Sequence, residues 1–316
     1  MSAKLAFVFP GQASQSLGMG RDFVEAYPMA REVFEQTDDL LGFAFSKICF
    51  EGSEETLNDT INTQPALYVC SIAILRVLNH ERPDIEPDFV AGHSLGEFTA
   101  LTASGALAFA DGLRLVRERG RLMKEAGEKN SGAMAALLGL DLDSAQAVCA
   151  RASERTQLAV VVANDNCPGQ VVISGDVLAL EAAMELAKEA GAKRAVKLAV
   201  SIAAHSPLME SAAVEFGKLV AATSLKVPQM PIFGNVDAAP LHDIDAIRHE
   251  LNRQLTQTVR WTDSVKAMIA AGAERFIEIG SGDVLTGLLK RIDRNVEGVA
   301  LNSVDALKKL AQEDAS

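Results

Sequence analysis

The segment Gly92-His93-Ser94-Leu95-Gly96 constrains this chain more than any other, because it sets a serine between two glycines where a short apolar run, Phe89-Val90-Ala91, meets a helix-like stretch. A strand that turns abruptly into a helix builds α/β layers, and glycines two residues either side of Ser94 let strand and helix approach without Cβ clashes. A serine at such a turn sits in strained backbone with its hydroxyl raised into a cleft. The helix that follows opens with free backbone N–H groups, which stabilise the oxyanion formed when a hydroxyl attacks a carbonyl. The competing reading is a Gly-rich turn whose serine only caps a helix; the strand before it and the helix after it favour a nucleophile elbow.

Further apolar strand-like runs, Leu5 to Phe9, Pro231 to Phe233 and Phe276 to Ile279, alternate with helical stretches in the first third and again at the end. That alternation points to a parallel α/β layer. The middle differs. It reads as strand (Ala133 to Leu140), helix (Ser144 to Ala152), two strands around a Pro-Gly turn (Leu158 to Ala163 and Gln170 to Ser174), helix (Leu178 to Ala190) and strand (Ala195 to Val200). This βαββαβ order is that of a ferredoxin-like unit. The outer α/β material resumes after it, so the expected organisation is a core from residues 1–130 and 201–316 with an inserted subdomain at 131–200. A cleft between the two is a natural binding site.

Composition excludes several functions. With 316 residues, 48% hydrophobic content and mean hydropathy +0.13, the chain has material for a packed core. A formal net charge of -12 argues against nucleic acid or an anionic membrane as the main partner. The run Leu5 to Phe9 is cut off by Pro10-Gly11, too short for a signal or membrane-spanning segment, and reads as the first strand of a cytoplasmic protein. Cys49, Cys70, Cys149 and Cys167 show no metal-ligand spacing, so no metal is expected.

A serine nucleophile needs a base, and the chain has five histidines. His80, His242 and His249 lie in polar stretches. His93, as the immediate neighbour of Ser94, projects away from it and supports the turn. His205 is the better base: it follows an apolar run and precedes Ser206-Pro207, a helix start with Ser as N-cap and Pro at the first position. No acidic third member stands out, because Asp111, Asp141, Asp143, Asp165 and Asp176 read as caps or turn residues; a main-chain carbonyl can orient the imidazole instead. Glu97, three residues after Ser94, removes a Ser-x-x-Lys mechanism. On a helical wheel of Leu113 to Lys124, Arg119 is the single charge in the apolar arc. Its partner is either an internal carboxylate or a substrate carboxylate held bidentately. The turn Pro10 to Gln15 can aim a second oxyanion donor into the cleft beside Leu95 N–H.

These segments together closely resemble the malonyl-CoA:acyl-carrier-protein transacylases of bacterial fatty acid synthesis and the acyltransferase domains of polyketide synthases. The likeness rests on Phe9-Pro10-Gly11-Gln12-Ala13-Ser14-Gln15, Gly92 to Glu97, Arg119-Gly120, Asn164 through Gln170, His205 and Val284-Leu285-Thr286-Gly287-Leu288, and runs nearly end to end. It implies an α/β-hydrolase-like core with a parallel sheet and an inserted ferredoxin-like subdomain. It implies malonyl-CoA and acyl carrier protein as partners and no bound cofactor; the protein is expected to be a monomer. By the resemblance, Ser94 accepts the malonyl group, His205 is general base and acid, the N–H groups of Gln12 and Leu95 form the oxyanion hole, and Arg119 binds the malonyl carboxylate. The main chain of Gln254 orients the histidine, and Asn164 and Asn166 lie on a loop at the cleft edge that contacts coenzyme A or substrate.

Two departures from the family pattern carry expectations. Position 13 is usually glycine, and Ala13 restricts that loop to conformations a Cβ allows. The residues ending at the histidine, Ile202-Ala203-Ala204-His205, match neither the malonyl nor the methylmalonyl pattern, and the small Ala204 leaves room in the acyl site. The rival reading is a serine hydrolase or thioesterase on the same elbow. A carrier protein, itself acidic, is expected to dock on a local basic patch: Lys188, Lys193, Arg194 and Lys197, or Lys290, Arg291 and Arg294.

Overall fold

The computed structural model describes residues 4–200 and 202–313. Its strands are β1 (Lys4–Phe9), β2 (Phe89–Gly92), β3 (Gly132–Leu138), β4 (Val160–Cys167), β5 (Gln170–Asp176), β6 (Arg194–Lys197), β7 (Ile232–Phe233), β8 (Pro240–Leu241), β9 (Ala273–Ile279) and β10 (Glu297–Leu301). The larger sheet has the order β10-β9-β1-β2-β7-β8, parallel from β10 to β7, with β8 antiparallel at the edge. Strand β1 lies inside it and has helices over both faces. Successive residues therefore serve two cores: Phe7 and Phe9 join one buried cluster, Ala6 and Val8 the other. This is why the run is apolar without alternation.

Helix Thr60–Glu81 is long and apolar enough to cross a bilayer, yet 89% of its most apolar window is buried inside the protein. Its uniform apolarity is that of a helix surrounded by core.

The middle of the chain forms a second sheet of order β4-β5-β3-β6, antiparallel throughout. Helices Leu142–Thr156 and Val177–Glu189 join its elements in the order read from the sequence. Period-2 alternation again divides the labour. Ala133, Ala135, Leu137, Val171 and Ile173 pack with those two helices, whereas Met134 and Val172 join the larger core.

Two local expectations are corrected and one strand is added. The expected strand end at Ala163 lies instead at Cys167, carried past two register shifts, so Asn164 and Asn166 are strand residues and not loop residues. Irregular pairing hides such a strand from a periodicity reading. The last strand of the middle unit ends at Lys197, short of Val200. Strand β10, with only Leu301 buried, carries too weak an apolar signal to be read at all.

The loop after β1 places an alanine where relatives usually have glycine. Ala13 has a φ of 82°, in the left-handed region that a residue with a Cβ adopts only under strain. Its N–H donates to Gln15 Oε1 at 2.8 Å, and this local bond helps hold the conformation. An L-residue there costs about 1–2 kcal/mol, partly offset by the greater unfolded-state entropy of glycine. Ala13→Gly should therefore raise the thermal unfolding midpoint, by a stability gain on the order of 0.5–1 kcal/mol. A lower midpoint in calorimetry would show that the methyl group makes contacts worth more than the strain.

Candidate active site

Strand β2 ends at Gly92 and helix Gly96–Ala103 begins four residues later, with Ser94 between them at a φ of 50°. The turn is that tight because two glycines permit it. A Cβ on Gly92 would lie 1.9 Å from the Gly96 carbonyl carbon, and one on Gly96 would lie 2.1 Å from Phe9 O at the end of β1. Both backbone groups of Ser94 are held by side-chain amides: its N–H donates to Asn235 Oδ1 at 2.6 Å, and its carbonyl accepts from Gln254 Nε2 at 3.0 Å. Asn235 also donates through Nδ2 to Gly92 O at 2.7 Å, which fixes the strand end.

His205 Nε2 lies 2.8 Å from Ser94 Oγ. On the other side of the ring, Nδ1 lies 2.7 Å from the main-chain carbonyl of Gln254. A carbonyl only accepts, so Nδ1 carries the proton and the Nε2 lone pair faces the serine hydroxyl. The imidazole is 3% exposed, and burial, then the charge of Arg119, push its pKa down to about 3, against a raising effect of the Gln254 hydrogen bond. His205 is thus neutral at physiological pH. It is delivered by a turn in which its own φ is 57°, followed by Ser206, whose hydroxyl accepts from Leu208 N at the start of the short helix Pro207–Met209.

Arg119, on helix Phe109–Lys129, is fully buried. Its Nη1 donates to Gln64 Oε1 at 2.9 Å, and its Nη2 to Gln254 Oε1 at 2.9 Å and Ser94 Oγ at 3.0 Å. Among the described residues no carboxylate forms an ion pair with it, which leaves the internal-carboxylate reading without its partner. Burial lowers its pKa to about 10, with Glu97 acting in the opposite direction, so the guanidinium stays charged at neutral pH. A buried cation whose hydrogen-bond partners are all uncharged acceptors, one of them a serine hydroxyl, has the charge and the donors to receive an anion.

The N–H groups of Gln12 and Leu95 donate to no partner among the described residues. The Gln12 side chain is pinned through Oε1 by Thr60 Oγ1 at 3.1 Å and Gln64 Nε2 at 3.3 Å. A cleft of about 470 Å³, lined by Gln12, Asn58, Thr60, Lys124 and Ile202 among others, opens beside this loop. Ala204 is buried in the larger core next to His205. Asn166 is engaged internally, its Oδ1 2.9 Å from His93 Nε2, and Asn164 is buried in β4. His93 points away from Ser94, its ring edge-on to Trp261 with centroids 5.6 Å apart. Cys167 is buried. Among the described residues no cluster of His, Cys, Asp and Glu fits a metal ion.

The structure thus brings Ser94, His205, Arg119 and Gln254 into one hydrogen-bonded group. Four participants escaped the sequence reading: Gln64, Asn235, Glu97 as a structural acid, and Glu250. Only Asn235 left a trace, as a polar residue just beyond the strand-like run Pro231 to Phe233, where open α/β sheets gather their functional groups.

Similarity to known proteins follows the same map. Residues 6–309 match the acyl transferase domain family. The malonyl CoA-acyl carrier protein transacylase of Bacillus subtilis (strain 168) is 43% identical over 310 residues, covering 98% of this chain and 97% of that one. Among solved structures, an acyl carrier protein S-malonyltransferase from Vibrio cholerae superposes with a TM-score of 0.94 at 43% identity, over 98% of this chain and 100% of that one. A malonyl-transacylase solved in complex with its type II polyketide acyl carrier protein superposes with a TM-score of 0.95 at 41% identity, over the same shares. With identity of this level sustained across nearly the whole chain, this protein belongs to the acyl transferase domain family, among its malonyl CoA-acyl carrier protein transacylases.

Proposed function

We propose that this protein transfers a malonyl group from malonyl-CoA, through an ester on Ser94, to the phosphopantetheine thiol of an acyl carrier protein. The observation that carries the reading is the buried, unpaired Arg119 guanidinium 3.0 Å from the Ser94 hydroxyl. The malonyl carboxylate takes the place of the serine contact on Arg119 and sets the thioester carbonyl over Ser94 Oγ. His205 Nε2 accepts the hydroxyl proton as the C–O bond forms, and the N–H groups of Gln12 and Leu95 receive the oxyanion. Collapse breaks the C–S bond, and the imidazolium returns the proton to the departing thiolate of coenzyme A. The carrier-protein thiol then repeats the sequence in reverse. Gln254 O stabilises the transient imidazolium where many triads place a carboxylate.

In this reading the larger part is an α/β-hydrolase-like core and residues 131–200 a ferredoxin-like insertion, supported by the strand order of the second sheet. The small Ala204 loosens selection between malonyl and methylmalonyl. Asn166 supports the site wall through His93, and Asn164 and Asn166 remain the candidates for contact with coenzyme A or substrate at the cleft edge. A cytoplasmic location fits four buried free thiols. Of the basic residues expected to receive the carrier protein, Arg291 bonds to Gln170 Oε1 and Pro168 O, and Lys197 pairs with Glu181. Lys193-Arg194 and Lys290 are the better docking candidates. The rival reading, a hydrolase, has no use for a cation in its acyl pocket.

Intact-mass measurement tests the reading directly: wild type mixed with malonyl-CoA should gain a malonyl adduct that disappears on adding carrier protein. Equally fast loss to water would favour the hydrolase. Ser94→Ala should form no adduct, and His205→Ala should acylate about 10²- to 10⁴-fold more slowly; a malonyl adduct on Ser94→Ala would overturn the assignment.

Arg119→Ala should lose malonyl transfer and gain relative preference for neutral acyl groups such as acetyl. Arg119→Lys should rescue poorly, since an ammonium lacks the planar fork. Equal loss of malonyl and acetyl transfer would make Arg119 a purely structural residue.

The depressed pKa of His205 sets the pH profile. An ordinary imidazole would protonate as pH falls through about 6.5 and cease to be a base. Here the neutral form persists down to the folded pKa of about 3, so kcat/KM for malonyl-CoA should show no loss between pH 8 and 5 assignable to this group. An inflection near 6.5 that vanishes in a His205 variant would contradict it.

A further inference from the structure

Behind the catalytic group lie two carboxyls that the proposed reaction does not use. Glu97 is fully buried in the first turn of helix Gly96–Ala103, and Glu250 is 2% exposed on helix Ile244–Arg253. One N–H group, that of Asn235, points at both, 2.8 Å from Glu250 Oε1 and 3.3 Å from Glu97 Oε1, which sets the two carboxyls side by side away from water. Two carboxylates sharing a buried site cannot both ionise without a large penalty, so the pair holds a proton. We propose that Glu97 and Glu250 form a positioning pair sharing one proton, with Glu97 the acid and Glu250 the anion, and that this pair orients both amides that hold Ser94.

The hydrogen bonds assign the proton. Glu250 Oε1 accepts from two backbone N–H groups, Asn235 N and Val236 N, each at 2.8 Å, the arrangement that favours a carboxylate. Gly234 leaves room for it, since a Cβ there would lie 2.8 Å from Glu250 Oε2. Glu97 receives only a longer 3.3 Å contact from Asn235 N and the Gln254 side-chain amide. Burial, then the neighbouring Glu250, holds Glu97 well above the usual carboxylate range; burial raises Glu250 too, but there the Val236 and Asn235 N–H groups pull the other way. The charged groups acting on the pair are Arg119, Asp237 and the two carboxyls themselves.

The consequence for the site runs through Asn235 and Gln254. The backbone N–H of Asn235 rests on Glu250 while its side chain takes Ser94 N and Gly92 O. Gln254 Nε2 donates to Glu97 Oε2 and to Ser94 O, which forces its Oε1 toward the Arg119 guanidinium. With the amide reversed, two donors would face each other at Arg119 and two acceptors at Glu97. The pair therefore selects the one amide orientation that serves serine and arginine together.

The kinetic half of the test rests on the acyl-transfer reading; the spectroscopic half does not. In D₂O at neutral and mildly alkaline pH, infrared difference spectra of wild type minus Glu97→Gln should contain the carbonyl stretch of a protonated carboxylic acid. Its absence overturns the shared proton whatever the protein transfers. In steady-state kinetics Glu97→Ala should lower kcat about 10- to 100-fold, the usual cost of losing a group that orients a functional residue. Glu97→Gln should restore most of that loss, because an amide donates to Glu250 and accepts from Gln254 as the acid does. Glu250→Gln transfers the anion to Glu97, closer to Arg119, and should raise KM for malonyl-CoA more than it lowers kcat. If Glu97→Gln is as slow as Glu97→Ala, the positioning role fails; should Glu97→Ala not fold, the comparison of Glu97→Gln with wild type decides it. Loss of all malonyl transfer in wild type, with the acid band intact, would strike the functional reading and leave the pair standing.

Discussion

One side chain and its own carbonyl tie the site together. Gln254 offers its backbone oxygen to His205, its amide oxygen to Arg119, and its amide N–H groups to Ser94 O and Glu97. A neutral residue in this role lets a cation and an unprotonated imidazole share a buried space. Were a carboxylate to orient His205, as in many serine enzymes, it would lie near Arg119 as well and compensate the charge that makes the guanidinium available to an incoming anion. That a carbonyl orients His205, and that among the described residues no carboxylate pairs with Arg119, are thus two aspects of one electrostatic arrangement. The low pKa of His205 follows from it, because burial and the nearby cation act in the same direction.

The tight turn at Ser94 depends on the same framework. A left-handed serine is held only where its surroundings over-determine it. Here the flanking backbone is confined by glycines against Phe9 and by amides on both sides of the peptide. Ala13 and His205 share the left-handed conformation. Three such residues in the loops around one hydroxyl are consistent with strain concentrated where geometry matters for chemistry.

Much of this was legible in the sequence, and what was missed has a common cause. Strand β2, the elbow, the helix after it and the alternation of the middle segment all leave periodic or glycine signals that depend on near neighbours in the chain. His205 was found because a Ser-Pro helix start follows it, and Arg119 because it interrupts an apolar arc. Asn235, Gln64 and Glu250 left almost none, because they act through hydrogen bonds to residues far away in the chain, such as the 141-residue separation between Ser94 and Asn235. Glu97 was visible but read only for what it was not. The far end of strand β4 escapes a periodicity reading because its bulges break the period-2 pattern.

The extension of β4 to Cys167 changes what the middle segment is. Its far end reaches the larger core: Asp165 N bonds to Val259 O, Val259 N to Ala163 O, and Asn166 grips the ring of His93, the residue beside the nucleophile. The middle sheet and the turn at Ser94 thus share a support in β4. A chimera that exchanged residues 131–200 between relatives would import one wall of the elbow's foundation along with any new surface.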